Sequence, residues 1–313
     1  MQRMNRRTFI GASVAATLSA AAKPSWAADP AHLFAPNVAN APEAEHSIDR
    51  IGLQLYTVRA AMGADVEGTI AKVAATGYKE VEFAGYFDHS PKDIRAALDQ
   101  NGLTSPSCHV TYHFVQKHWE ETLEAAKIVG HKYIICPWID EKQRAEAGGW
   151  KRAADLFNKA GEESKKAGIQ FGYHNHSFEF QPAETLGGKL PYDFLLAETD
   201  PKLVAMEMDL CWITVAGKDP VAYFNKYPGR FPLVHVKDYV NDPHSTGSYD
   251  GATGSVKFEG HLADVGQGTI HWKGIFEQSG KAGIQHYFVE NDDPKSAFND
   301  IKISYNYLHE LRF

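Results

Sequence analysis

Short apolar segments recur along the chain and alternate with longer stretches in which apolar residues return every three or four positions. The short ones are IGLQLYT, KEVEFAG, SPSCHVT, KYIICPW, IQFGYHNH, VAMEMDL, PLVHVKD and HYFVEND. Bounded by Gly, Pro, Asn or Asp and rich in β-branched and aromatic residues, they read as eight strands. The helical period falls between them, over Val66 to Thr76, Pro91 to Asn101, His118 to Val129, Trp150 to Ala167 and Pro220 to Tyr227, and several of these runs end before a glycine. Strict alternation of strand and helix predicts parallel strands joined by crossover helices. Eight such units in about 265 residues match a single (β/α)8 barrel, an α/β fold. An open doubly wound sheet would carry a glycine-rich phosphate turn after its first strand, and none follows IGLQLYT. The longest insertion, Val240 to His271, is rich in Gly, Ser, Asp and His and reads as a loop after the seventh strand.

Side chains on a strand alternate between two faces, so in a barrel one parity points inward and the other meets the helices. In PLVHVKD, Val234 and Val236 oppose His235 and Lys237; in VAMEMDL, Met206 and Met208 oppose Glu207 and Asp209. Val81 and Phe83 likewise oppose Glu80 and Glu82, Cys108 and Val110 oppose Ser107 and His109, and Val289 opposes Phe288 and Glu290. The polar set is therefore expected inside, at the C-terminal strand ends where catalytic groups of such barrels sit.

His174, Asp209, His235 and Glu290 end strands five to eight and form a candidate ligand set for one divalent cation, of the kind that suits Mn, Zn, Fe or Co better than Ca. A lone histidine at a strand end is more often solvated or hydrogen-bonded than metal-bound; four ligand-type residues at successive strand ends favour the metal. Glu207, one layer below Asp209, is expected to support a ligand rather than be one. Glu179 is expected on a surface loop, or else against substrate or as an alternative ligand.

Charge narrows the partners. A net charge of −7 without a long basic run argues against nucleic acid and for a small or neutral ligand. Cys108, Cys136 and Cys211 are too few for a disulfide framework and read as small buried hydrophobes. Residues 1–27 have the marks of an export signal: Arg3, Arg6 and Arg7, an apolar run from Phe9 to Ala22, and Ser25-Trp26-Ala27 as a small-x-small cleavage site. The pair in NRRTFIG resembles a twin-arginine signal, which implies a periplasmic protein with no stable membrane insertion after cleavage. Residues 28–46, without periodicity, read as a flexible tether, and 47–313 as the barrel.

IGLQLYTVR, GYKEVEFAG, YHNHSFEF, MDLCW, DPVAYFNKYPGR, PLVHVKD and VEND, in this order, resemble the xylose-isomerase-like TIM barrel family of sugar phosphate isomerases and epimerases. The resemblance implies one divalent cation held from strands five to eight, and acid/base chemistry at a carbon next to a carbonyl. Many members carry Glu-Asn-His after strand five; here Tyr-His-Asn-His puts His174 at the ligand position and leaves His176 toward substrate. Of the two glutamates that ketose 3-epimerases use, only Glu290 has a counterpart, and Gln267 and His271 in DVGQGTIHW stand where Glu and Asp are expected. The leading expectation is a metal-dependent sugar isomerase or epimerase working through an enediolate, with His176, Lys237 and Glu290 as its catalytic groups. Gln54, Tyr56, Glu82, His109 and Trp212 are expected against the sugar, although Gln54, Tyr56 and Trp212 suit core packing equally. The second expectation is a periplasmic lyase or hydratase acting on 3-keto-glycosides or keto-inositols, supplied with ketone by a separate sugar oxidoreductase. A noncatalytic sugar-binding protein is the alternative of another class, and a DNA-repair nuclease on the same barrel is disfavoured by acidity and export.

Overall fold

The computed structural model describes residues 45–251 and 254–313. The expected export signal and the tether as far as residue 44 lie outside them. His46, the last residue of the expected tether, exchanges backbone hydrogen bonds with Phe313 (2.6 and 3.0 Å) and so belongs to the folded body.

The eight expected strands all form: β1 (Ile51–Gln54), β2 (Glu80–Phe83), β3 (Thr104–His109), β4 (Tyr133–Cys136), β5 (Gln170–His174), β6 (Val204–Asp209), β7 (Leu233–Val236) and β8 (His286–Val289). They close into one barrel in chain order, every pair parallel, with β8 completing the ring against β1. Crossover helices such as Val66–Thr76, Pro91–Gln100, Trp119–Val129 and Gly149–Lys166 lie where the periodicity places them. Tyr112–Lys117, Pro191–Glu198, Leu210–Val215 and Ala297–Glu310 are further helices. MDLCW thus divides at Asp209, which ends β6 and caps the next helix by accepting from the backbone N–H of Cys211 and Trp212 (2.9 and 2.8 Å). Among the described residues no helix is long and apolar enough to cross a membrane.

The insertion is a correction to the expected loop. Asp238–Val240 pairs antiparallel with His261–Ala263, and Thr246–Gly251 with Gly254–Glu259. Its Gly- and Ser-rich composition hides this, because the first pairing joins segments far apart in the chain. Asp238 gathers the end of the insertion around its carboxylate, which accepts from Gly266 N, Gly268 N, Ile270 N and Trp272 Nε1.

Parity holds around the ring. Val81, Phe83, Met206, Met208, Val234 and Val236 are buried in the layer between strands and helices. Inside, Ile135, Leu233 and Phe288 form an apolar floor, each side chain contributing about 1.5–3 kcal/mol by burial. Glycines at two interior positions make room for it: a Cβ on Gly52 would lie 2.5 Å from Phe288, and one on Gly172 2.5 Å from Ile135. Above this floor the interior turns wholly polar.

Candidate active site and metal centre

His235 stands at the centre of the polar layer. Its Nδ1 lies 2.8 Å from Glu290 Oε2, and its Nε2 lies 2.8 Å from Glu82 Oε2 and 3.3 Å from Glu207 Oε2. Glu207 Oε2 also meets His109 Nε2 at 2.7 Å and His174 Nδ1 at 3.1 Å. The imidazoles of His109 and His235 stack at 5.2 Å, 5° from parallel. One carboxylate oxygen thus faces three histidines. Burial disfavours charge on His109, but Glu82 and then Glu207 outweigh it and raise its pKa to about 9. His235 is likewise raised well above its ordinary value, against burial, by Glu207 and Glu290. His174 goes the other way, driven well down by burial and then by the neighbouring His235.

A second focus adjoins the first through Glu290. Lys237 Nζ contacts Asp209 Oδ2 (3.0 Å), Glu290 Oε2 (2.8 Å) and Asp292 Oδ2 (2.5 Å), and all four side chains are buried. Burial opposes the ammonium, but the three carboxylates, Asp209 foremost, keep Lys237 charged. Burial raises Asp292 to about 7, and the nearby Lys237 opposes that rise. Asp292 is absent from the residues expected at the site, although its parity matches Glu290 two residues earlier and would have pointed to it.

Two overlapping groups have metal-ligand spacing: His109, His174, Glu207 and His235, and Asp209, His235 and Glu290, with His235 in both. The four expected ligands are divided between the two groups instead of forming one: His174 falls in the first, Asp209 and Glu290 in the second, and His174 Nε2 lies 3.9 Å from Asp209 Oδ2. Donor atoms bound to one ion at about 2.0–2.2 Å stand about 3 Å or more apart, and the candidate ligand atoms within each group lie within 4.8 Å of one another. Among the described residues nothing donates a hydrogen bond to the buried Glu207 Oε1, a carboxylate oxygen whose desolvation a cation would offset. Donor set and orphaned oxygen both fit a divalent cation. Glu207, expected beneath the site, sits among its histidines.

A cavity of about 280 Å³ opens over this cluster, with Tyr56, His109, His174, His176, Glu290 and Asp292 on its walls. Tyr56 and His109 thus lie where substrate contacts are expected. The structure does not bring Gln54, Glu82 and Trp212 to that wall. Gln54 is fully buried and donates to Glu82 Oε2 at 2.7 Å; Glu82 also accepts from Ser107. Trp212 lies beneath Lys237, whose Nζ is 5.1 Å from its ring centre. Lys237 itself is absent from the cavity lining and reaches it only through its ion pairs with Glu290 and Asp292. Gln267 and His271 are exposed and away from the cavity lining.

His176 reaches the cavity because the turn after β5 is fastened from within. Its backbone N–H donates to Glu179 Oε2 at 2.8 Å, and Tyr173 Oη donates to Glu179 Oε1 at 2.6 Å. Glu179 is fully buried, which corrects the expected surface loop; it is absent from the cavity lining and holds the turn. Burial lifts its pKa to about 7 against those donors. The His176 ring meets Trp138 edge-on at 4.8 Å, and burial followed by the Lys237 charge drives its pKa well down, so it stays neutral.

A closed eight-stranded parallel barrel with an inward His/Glu/Asp cluster at its C-terminal mouth defines a metal-competent (β/α)8 enzyme site. The chain belongs to the xylose isomerase-like TIM barrel family, whose model matches residues 70–302. It is 25% identical over 256 residues to an inosose dehydratase of Lacticaseibacillus casei, a match covering 74% of this chain and 84% of that one. An inosose dehydratase of Geobacillus thermodenitrificans is 26% identical over 245 residues, covering 71% and 80%. Among solved structures, a sugar phosphate isomerase/epimerase from Parabacteroides distasonis superposes with a TM-score of 0.68 at 26% identity, covering 87% of this chain and 97% of that one.

Proposed function

We propose that the protein is a metal-dependent lyase of the dehydratase type, acting on a keto-sugar or keto-cyclitol. It would remove a proton next to the carbonyl and expel an oxygen leaving group from the carbon beyond. The observation that carries this reading is the chemical inequality of the groups around the cavity. Its lining includes a neutral imidazole, His176, and the carboxylates Glu290 and Asp292, backed by the Lys237 ammonium. An epimerase needs two acid/base groups on opposite faces of one substrate carbon, each able to serve as base in one direction. An elimination needs a base on one side and a proton source on the other. Similarity to inosose dehydratases favours the same choice.

His174, Asp209, His235 and Glu290 would hold the cation, with Glu207 beside them; Mn, Zn, Fe and Co all suit this donor set. When bound, it would polarise the substrate carbonyl and stabilise negative charge on that oxygen. The neutral His176 takes the proton from carbon, in a position fixed by Glu179. The proton shared by Lys237 and Asp292 passes to the departing oxygen, so the C–H electron pair becomes the new C=C bond and the C–O pair leaves with oxygen. Tyr56 and His109 orient the ring. The ketone has to come from a separate sugar oxidoreductase. The twin-arginine pattern in NRRTFIG supports a periplasmic setting, away from phosphorylated cytoplasmic sugars.

The test is to incubate protein supplemented with Mn²⁺ or Co²⁺ with inosose, 3-keto-glucosides and free ketoses in deuterated water. Loss of the leaving group with formation of an unsaturated ketone supports the lyase. Deuterium exchange with the carbon–oxygen bond intact would return the assignment to isomerase or epimerase.

A further inference from the structure

A second cavity, of about 380 Å³, adjoins the first and shares Ala84, His109 and Thr111 with it. Its remaining walls are largely apolar, with Cys108, Val110, Phe114 and Ala125 among them. Phe114 is 47% exposed; Phe114 and Ile128 are the large hydrophobics left exposed among the described residues. What distinguishes this Phe is its place on the rim of an apolar cavity that opens beside the cluster, since a hydrophobic residue exposed singly needs no ligand to explain it. One polar atom on this wall is held in place from behind. His131, itself buried, meets Ser105 O through Nδ1 at 2.8 Å, so its Nε2 is the acceptor for Tyr86 Oη at 2.9 Å. The Tyr86 oxygen also meets the Cys108 thiol, so this corner of the lobe is internally satisfied and leaves the apolar walls to decide what it takes.

A cyclitol or free ketose is one ring studded with hydroxyls and fills only the cavity over the metal cluster. The apolar lobe matches a second group of opposite character. We infer that the substrate is a keto-glycoside whose leaving group is a ring-sized apolar aglycone, with the keto-sugar over the cluster and the aglycone between Phe114 and Ala125. This rests on the elimination chemistry proposed above and names its leaving group. The proton on the carbon between carbonyl and anomeric centre goes to His176, and its electron pair forms the new double bond. The anomeric C–O bond breaks, and the aglycone departs as an alcohol or phenol after gaining one proton. No oxidant is consumed.

The experiment compares phenyl and methyl 3-keto-β-glucosides on the full chain, together with Ala125→Phe, which fills the lobe, and Phe114→Ser, which removes its exposed rim without touching the core. Expected is a kcat/KM at least roughly tenfold higher for the phenyl compound, a preference erased in Ala125→Phe and reduced in Phe114→Ser, with methyl turnover unchanged. Equal handling of the two by the unaltered protein, or a preference that survives both substitutions, would overturn the inference. If neither keto-glucoside reacts, the chemical reading fails on its own, and calorimetry with unoxidised phenyl β-glucoside still decides the lobe. Saturable binding weakened about tenfold by Ala125→Phe sustains it; no binding to the unaltered protein sinks it.

Discussion

Lys237 Nζ lies 2.5 Å from Asp292 Oδ2, behind a cavity wall, and its other two contacts go to Asp209 and Glu290. One ammonium thus balances three buried carboxylates. Lys237→Met should destabilise the fold by about 3–5 kcal/mol, because it strands those charges away from water. Urea unfolding at neutral pH measures this, and unchanged stability would mean the carboxylates are not ionised together.

Asp292→Asn keeps the shape and removes the group proposed to share the leaving-group proton. Turnover of a keto-glucoside is expected to fall about 10²-fold or more, with KM little altered. A variant that raises KM alone would show Asp292 to be a binding group.

His235 belongs to both ligand clusters. Added Mn²⁺ or Co²⁺ should raise the thermal midpoint of the protein, by about 2.7 kcal/mol of stability at one hundred times the dissociation constant. His235→Ala should abolish that rise and the metal content found by elemental analysis. A midpoint equally metal-sensitive in the variant would place the ion elsewhere.

Glu179→Leu removes the acceptor for both Tyr173 Oη and His176 N. Leaving these buried donors unsatisfied should cost about 1–3 kcal/mol each. If Glu179 acts by holding His176, kcat falls while metal binding persists. Loss of metal affinity with kcat per bound ion intact would contradict that role.

His131 is buried, and burial lowers its pKa from 6.5 to about 4. The unfolded chain therefore binds a proton between those values that the fold refuses. The stabilisation is complete above pH 6.5 and is lost as pH falls toward 4, a change of about 3 kcal/mol at about 1.4 kcal/mol per pH unit. Chemical unfolding across that window should lose this increment of pH dependence in His131→Gln relative to the unaltered protein, whatever the other histidines add to both.

The barrel was legible because its signals are local. Each strand carries its own inward and outward parity, so His235 and Lys237 could be assigned to the interior from PLVHVKD alone, and the glycines at 52 and 172 fit an interior they leave room for. The same parity carried two residues past Glu290 would have reached Asp292. No local signal reveals that Gln54 spends its amide on Glu82, or that Trp212 lies under an ammonium instead of a sugar. Those facts depend on neighbours from other strands. Glu179 shows the same limit: a carboxylate past a strand end looks solvent-bound until the chain turns it inward onto Tyr173.

The sequence by itself determined the count of barrel strands, the inward face of most of them, and the ligand-type residues at the ends of strands five to eight, since periodicity and residue chemistry are properties of short segments. Only the tertiary structure decided which carboxylate faces three histidines, which groups reach the cavity, and that an apolar lobe adjoins it. Ring closure sets the distances between side chains from different strands, and the packing of the helices from Tyr112 to Val129 against the β3 end shapes the space beyond them.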